Sequence, residues 1–267
     1  MGRAIVGQSA LIVGQSPTRS CRVPVTVAKR TRADEVAELL KRRILSGIYP
    51  AGGKLPSELW LADDLGVNRF TVREAMNQLE QMRLIRRKAG AGTVVLDYRQ
   101  NAGLDVIEYL VLNEGGVVDL EVLANLLEFA RITSSEVAAL AAERRSDEDL
   151  TTLGVVVAKM QSEKNLSDLL WLDFDFNWAL ACAARNVMPR LLLNSARGLL
   201  SKYSHLLQTL WVSPGSITQG YEYVVDAVRT RDVERARSLV KWIWTGRHQR
   251  FVEAVEKNTR PPRERTG

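Results

Sequence analysis

The chain has 267 residues and a formal charge of +6, which allows two domains with separate cores. The charge is uneven: residues 1–100 hold 17 Lys and Arg against 9 Asp and Glu, and the remainder 20 against 22, so phosphate contact fits the first part and is disfavoured in the second. Cys21 and Cys182 are the only cysteines, which excludes a disulfide framework and predicts a reducing, cytoplasmic setting.

Residues 1–30 repeat IVGQS at Ile5 and Ile12, with no physical role for the duplication. The apolar run Ala10–Val13 is too short for a signal-peptide core, and no segment is expected to span a membrane. This region is expected to be a disordered tail or an overlong start. From Arg32, DEVAELLKRRILSG places Val36, Leu39, Leu40 and Ile44 on one stripe, with Asp34 and Glu35 at the positive end of the helix dipole and Lys41, Arg42 and Arg43 near the negative end. Ile48 to Lys54 reads as a turn.

The stretch from Leu55 to Val95 carries the most information. Ser57 is placed to cap a short helix through Leu65, and Gly66 fits the reversal that ends it. Asn68 is placed to cap a second helix. There Val72, Ala75, Met76 and Leu79 repeat at i, i+3, i+4 and i+7, while Arg69, Arg73 and Asn77 lie four apart on the opposite face. One face is core and the other is free to read a major groove, where a guanidinium takes both the O6 and N7 acceptors of guanine. Leu84–Arg87 and Thr93–Val95 then read as strands around a basic, glycine-rich tip, Lys88 to Gly92, able to approach a backbone or minor groove. Helix-turn-helix spacing, basic face and wing together imply duplex DNA binding. A helical hairpin beside a surface turn is the plainer alternative.

The expected fold class is mainly α: an N-terminal winged helix-turn-helix with a small β wing at 31–98, a linker helix and turn at 99–116, and an all-α antiparallel bundle at 117–256 for effector binding and dimerisation. Helical periodicity falls near 103–113, 118–144, 147–163, 166–184, 189–211, 216–229 and 232–256. Residues 257–267, with Pro261-Pro262 and alternating charges, read as a disordered tail. Five of the six Trp lie in the bundle. Aromatics at helical spacing are core more often than ligand pocket, although bundle interiors also build small-molecule sites.

These segments resemble a known family. GIYPAGGKLPSE from Gly47, LGVNRFTVREAMNQLEQMRLI and GAGT are similar to the winged helix of GntR-type bacterial transcription regulators. GLDVIEYLV at Gly103, LLEFARITSSEVAALAAER at Leu126, LDFDFNWALACAARN at Leu172 and DAVRTRDVERARSLV at Asp226 are similar to the FadR-type (FCD) ligand domain. The resemblance implies a homodimeric repressor on a palindromic operator, released by a small-molecule effector. It places base and phosphate contacts on Asn68, Arg69, Thr71, Arg73 and Gly90, with Ser57, Arg87 and Lys88 as further DNA-binding candidates. Leu59 stands where the family usually has a DNA-touching arginine, which implies an altered half-site. Phe70 stands where a small polar residue is usual, and fits either a thymine methyl or a phosphate.

Many relatives hold a divalent metal with an aspartate, a histidine four residues on and two later histidines. Here Asp173 is present, but the other positions fall on Asn177, Tyr221 and Ile243, and His205 and His248 lie elsewhere. A carboxylate and an amide suit a transition metal poorly, so neither metal nor other cofactor is expected. Loss of those histidines resembles the FadR branch of fatty-acid metabolism, which implies a long-chain fatty acyl-CoA effector. Candidate effector residues are Arg131, Asp173, Asn177, Tyr221, Trp244 and Phe251, with Arg197, Lys202 or Arg247 near the CoA phosphates. Each has a plainer reading: Arg131 paired with a neighbouring acid, Asp173 and Asn177 as hydrogen-bonded remnants, Trp244 as core. The alternatives are a regulator of organic-acid metabolism sensing a small carboxylate, and an effector-independent DNA-architectural protein. No phosphate loop, nucleophile elbow or metal helix marks an enzyme.

Overall fold

The computed structural model describes residues 30–88, 90, 92–111, 119–211 and 214–259; at 199, 202, 203, 205–211, 214–217 and 251–259 it describes the backbone alone. Residues 1–29, 112–118 and 260–267 lie outside it, and with them the expectations for most of the N-terminal region, the Gly115-Gly116 turn and most of the C-terminal tail.

The first helix, α1 (Arg32–Leu45), opens on a capping box in which Thr31 accepts from Asp34 and Asp34 answers to the Thr31 backbone. That Thr31 N–H, helped by Gln78, holds the Asp34 carboxyl below its ordinary range. Helix α2 (Glu58–Asp64) is capped by Ser57 and helix α3 (Arg69–Gln81) by Asn68, as their sequence positions predict. Between them Gly66 takes φ +62°, where a side chain is disfavoured. The stripes then meet: Val36, Ala37, Leu40 and Ile44 of α1 close on Leu61, Val72, Ala75, Met76 and Leu79. Each large aliphatic so enclosed contributes about 1.5–3 kcal/mol.

Strands β1 (Ile85–Lys88) and β2 (Gly92–Val95) pair antiparallel with Ile85 opposite Val95 and Lys88 opposite Gly92. Ile85 and Val95 bury one face of the hairpin in the same core. The strand before α2 joins the edge of β2, since the Leu55 N–H donates to the Thr93 carbonyl at 2.9 Å. The wing is thereby held at its base, and Gly90, φ +74°, stands exposed at its tip.

The linker opens on a short helix that no periodicity marked, α4 (Tyr98–Asn101), and over the described part of 103–113 the chain is then helical from Leu104 without a gap, a single 3₁₀ turn at Leu104–Val106 running straight into α5 (Ile107–Val111). Ala102 and Gly103 are extended, which ends α4 and starts a new direction. The helical run buries two faces: Val106 and Leu110 pack on the winged-helix core, Ile107 and Val111 on an aromatic cluster of the bundle.

The bundle follows as α6 (Leu120–Arg144), α7 (Asp147–Ser162), α8 (Leu166–Ala183), α9 (Val187–Trp211), α10 (Pro214–Arg229) and α11 (Val233–Thr259). Asp119, Ser146 and Asn165 cap α6, α7 and α8. Helix α9 begins two residues before Pro189, and α10 begins on Pro214, because proline's missing donor is not needed in a first turn. Helix α6 lies along α11, and α8 packs on α6, α7 and α9. Helix α11 continues to Thr259, past the start of the expected tail at 257.

Candidate functional site

Two places concentrate chemistry: the outer face of α3 with the wing, and a polar cluster inside the bundle. On α3 the core stripe fixes the opposite face outward, so Arg69, Phe70 and Arg73 are exposed. Asn68 accepts from the Thr71 N–H at 2.8 Å and from its hydroxyl at 3.0 Å, which orders the first turn. Ser57 is used in the same way, accepting from the Trp60 N–H. Arg73 is ion-paired with Glu58 of α2 at 3.1 Å, but its side chain is 60% exposed. Arg86 and Lys88 point to solvent from the wing.

Arg87 differs from the other candidates. Its Nε donates to Glu80 at 2.9 Å, its Nη2 donates to the Asn77 side-chain oxygen, and its backbone N–H donates to Glu80 at 3.0 Å. The Arg87 backbone N–H, joined by the guanidinium, holds the Glu80 carboxyl below the usual carboxylate range. Arg87 thus clasps the wing to α3, and the Asn77 oxygen is used in the clasp. The spacing that puts Asn77 on the outer face gave no sign of this, because the partner lies across the hairpin.

Inside the bundle, Asp173 of α8, Tyr221 of α10 and Arg247 of α11 meet in the buried core. The Tyr221 hydroxyl donates to Asp173, the Arg247 guanidinium donates to Asp173, and it donates to the Tyr221 oxygen at 2.7 Å. Asp173 is 6%, Tyr221 2% and Arg247 1% exposed. Rings frame the group: Phe176 stacks on Tyr221 at 4.1 Å between centroids, and the guanidinium lies 4.7 Å from the Trp244 ring centroid. Burial pushes the Tyr221 phenol up, and beside Asp173 the Arg247 guanidinium keeps its proton above its ordinary value despite burial.

Of the effector candidates, the structure brings together Asp173, Tyr221 and Trp244. Asn177 is adjacent but turned to its own helix, donating to the Asp173 carbonyl at 2.8 Å. Arg131 faces Glu128 at 3.7 Å one turn away on α6. The side chain of Phe251, like those of Lys202 and His205, lies outside the described residues. Arg247, expected beside CoA phosphates, is instead the buried partner of Asp173. The sequence does carry the signal: Val240, Ile243, Trp244 and Arg247 run at i, i+3, i+4 and i+7, so Arg247 lies on the core stripe of α11.

This donor set does not fit a divalent metal. The one carboxylate is already neutralised by a guanidinium, and the other three family positions carry an amide turned away, the phenol of Tyr221 and a buried Ile243. Among the described residues no three His, Cys, Asp or Glu side chains group as metal ligands.

A second feature lies between α5, α8 and α9. Val111, Leu170, Phe174 and Leu200 are buried together, with Trp171, Trp178 and Leu193 around them. The Arg197 guanidinium lies 5.2 Å from the ring centroids of both Phe174 and Trp178.

Comparison with known proteins matches residues 32–95 to "Bacterial regulatory proteins, gntR family" and residues 126–245 to "FCD domain". The HTH-type transcriptional regulator Mce2R of Mycobacterium tuberculosis (strain CDC 1551 / Oshkosh) is 30% identical over 217 residues, covering 80% of this chain and 89% of its own. The HTH-type transcriptional regulator LutR of Bacillus subtilis (strain 168) is 31% identical over 170 residues, covering 63% of this chain and 75% of its own. A solved structure described as "Lar controls the expression of the Listeria monocytogenes agr system and mediates virulence" shares the fold, with a TM-score of 0.55 at 18% identity over 85% of this chain and 99% of that one.

Proposed function

The chain belongs to the gntR family of bacterial regulatory proteins, as a DNA-binding transcription regulator with an FCD domain, and we propose that it is a homodimeric repressor on a palindromic operator, released by a long-chain fatty acyl-CoA. In this reading Arg69 and Arg73 read bases, Asn68 and Thr71 set the first turn of α3 against the phosphate backbone, and Lys88 with the Gly90 tip brings the wing to the adjacent groove. Ser57 acts through the α2 cap, and Arg87 by fixing the wing's angle.

The cluster of Leu170, Trp171, Phe174 and Trp178 with Arg197 at its edge carries the effector proposal. Packed together here, these side chains would offer apolar surface to an acyl chain, and Arg197 a cation to a phosphate, once α8 and α9 part. The cluster also touches α5, the element whose other side packs on the winged helix, so a ligand that parts α8 from α9 would move the linker. A small carboxylate held without metal is the second reading, favoured by the guanidinium of Arg247 at the bundle centre.

Calorimetric titration distinguishes the two. Hexadecanoyl-CoA is expected to bind with a negative heat-capacity change from apolar burial, while small hydroxy and keto acids show no heat with or without zinc. Binding of a carboxylate alone would move the protein to organic-acid sensing. Carboxylate binding only with zinc would overturn the reading of Asp173, Asn177, Tyr221 and Ile243. Silence toward every effector, with operator binding intact, would leave an architectural DNA binder.

A further inference from the structure

Large apolar side chains stand exposed at four places in the described winged helix: Ile48, Leu59, Trp60 and Phe70. Three of them fall within residues 59–70, the segment that opens α2 and α3. A single exposed hydrophobic residue is ordinary on a protein surface. A group of them on a face that also presents Arg69 and Arg73 is not.

Phe70 is the most exposed of the four, at 71%. It precedes the buried Val72 by two positions, which turns it away from the core, and it lies one helical turn before Arg73, which puts both on one stripe of α3. The ion pair between Arg73 and Glu58 draws the start of α2 to that stripe, and Leu59, 52% exposed, is the next residue along.

A phenyl ring has no donor or acceptor for a phosphate or a base edge. In the major groove its complement is the C5 methyl group of thymine, and the first turns of a recognition helix are the part that reaches base edges. We propose that Phe70, with Leu59 from the neighbouring α2, reads thymine methyl groups, so that the operator half-site carries thymine at the steps beside the arginine-read bases. This rests on the assignment of α3 as the recognition helix. It assigns sequence choice to two side chains that form no hydrogen bond to DNA.

The test starts with selection of bound sequences from random duplexes by the full-length chain. Each thymine of one selected half-site is then replaced in turn by deoxyuridine, which deletes the methyl and leaves the pairing edge unchanged. Affinities are measured at one ionic strength for the wild type, Phe70→Ala and Phe70→Leu. One or two uridine positions should weaken the wild type about fourfold each, the scale of uncovering one methyl-sized apolar group. Phe70→Ala should bind the thymine operator more weakly and ignore uridine at those positions, and Phe70→Leu should restore part of the sensitivity. Because Phe70 is exposed, neither variant should change the melting temperature by more than a degree or two.

Uridine tolerance at every position in the wild type would overturn the inference, and so would undiminished methyl sensitivity in Phe70→Ala. Failure to enrich any sequence would overturn the operator reading first, and the inference with it.

Discussion

At the residue scale, two kinds of arginine divide the molecule. Arg69 and Arg73 stand in solvent on α3, where a guanidinium reading a base is worth far more to binding than to stability. Arg69→Ala and Arg73→Ala should each weaken operator affinity by about 1–3 kcal/mol and relax the preference at one base position. A loss equal on operator and random DNA would reassign them to phosphate. Arg247 is the opposite case, 1% exposed and bonded to Asp173 and Tyr221. Removing one partner of such a pair leaves a buried charge uncompensated, so Arg247→Met or Asp173→Asn should each lower unfolding free energy by about 3–5 kcal/mol in urea titrations. The double variant should recover part of that loss, and equal additive losses would contradict the pairing. The Asp173 side of this group was legible from the sequence through its position in LDFDFNWALACAARN. The Arg247 side was legible only in part: its i+7 place on the Val240, Ile243 and Trp244 stripe marks it as core-facing, but a guanidinium there is read by default as snorkelling to the surface, and only the meeting of α8, α10 and α11 shows its partner.

At the element scale, local rules set most of the chain, and the departures occur where tertiary contacts decide. The caps at Ser57 and Asn68 fall where residue type and spacing put them. In the linker the sequence does not mark the short helix α4, and the apolar period over 103–113 shows the helical run but not its partners, since only the fold shows one face meeting the winged-helix core and the other the bundle. Helix α5 joins the two halves, and its Tyr109 sits over Lys41 of α1, with Nζ 3.3 Å from the phenol oxygen. Burial pushes the Lys41 ammonium below its ordinary value and the Tyr109 phenol above its own. Tyr109→Ala should cost about 3 kcal/mol or more, as for truncation of other buried aromatics, and should separate the unfolding of the winged helix from that of the bundle in calorimetry. A single unshifted transition would exclude α5 as the mechanical link. The wing is tied by Arg87 to Glu80, whose carboxyl has a folded value below its ordinary 4.5. That contribution is present in full above pH 4.5 and is lost as pH falls through the lower folded value. Amide exchange of β1 should therefore quicken on acidification through that window, and Glu80→Gln should remove the dependence. An identical acid response in Glu80→Gln would place its cause elsewhere.

At the scale of the whole molecule, the basic part of the sequence and the near-neutral remainder correspond to two cores joined through α5. In the proposed dimer, two recognition helices would enter successive major grooves only when they stand one DNA turn apart, so a small change in the linker angle would be enough to lose one of the two contacts. Inserting half a turn between operator half-sites should then abolish tight binding, and mass photometry should count two chains on the intact operator. Salt separates the wing's roles: Lys88→Ala should reduce the slope of log affinity against log salt by about 0.9 if it neutralises one phosphate, whereas Arg87→Ala should lower wing stability and leave the slope nearly unchanged.

The most direct test of the account is fluorescence anisotropy of the full-length chain on DNA from its own promoter, titrated with hexadecanoyl-CoA at fixed salt. The account predicts tight, sequence-selective binding by a dimer and a return to the anisotropy of free DNA as the acyl-CoA saturates. Tight selective binding that persists at saturating acyl-CoA and is released by a small carboxylate would contradict it.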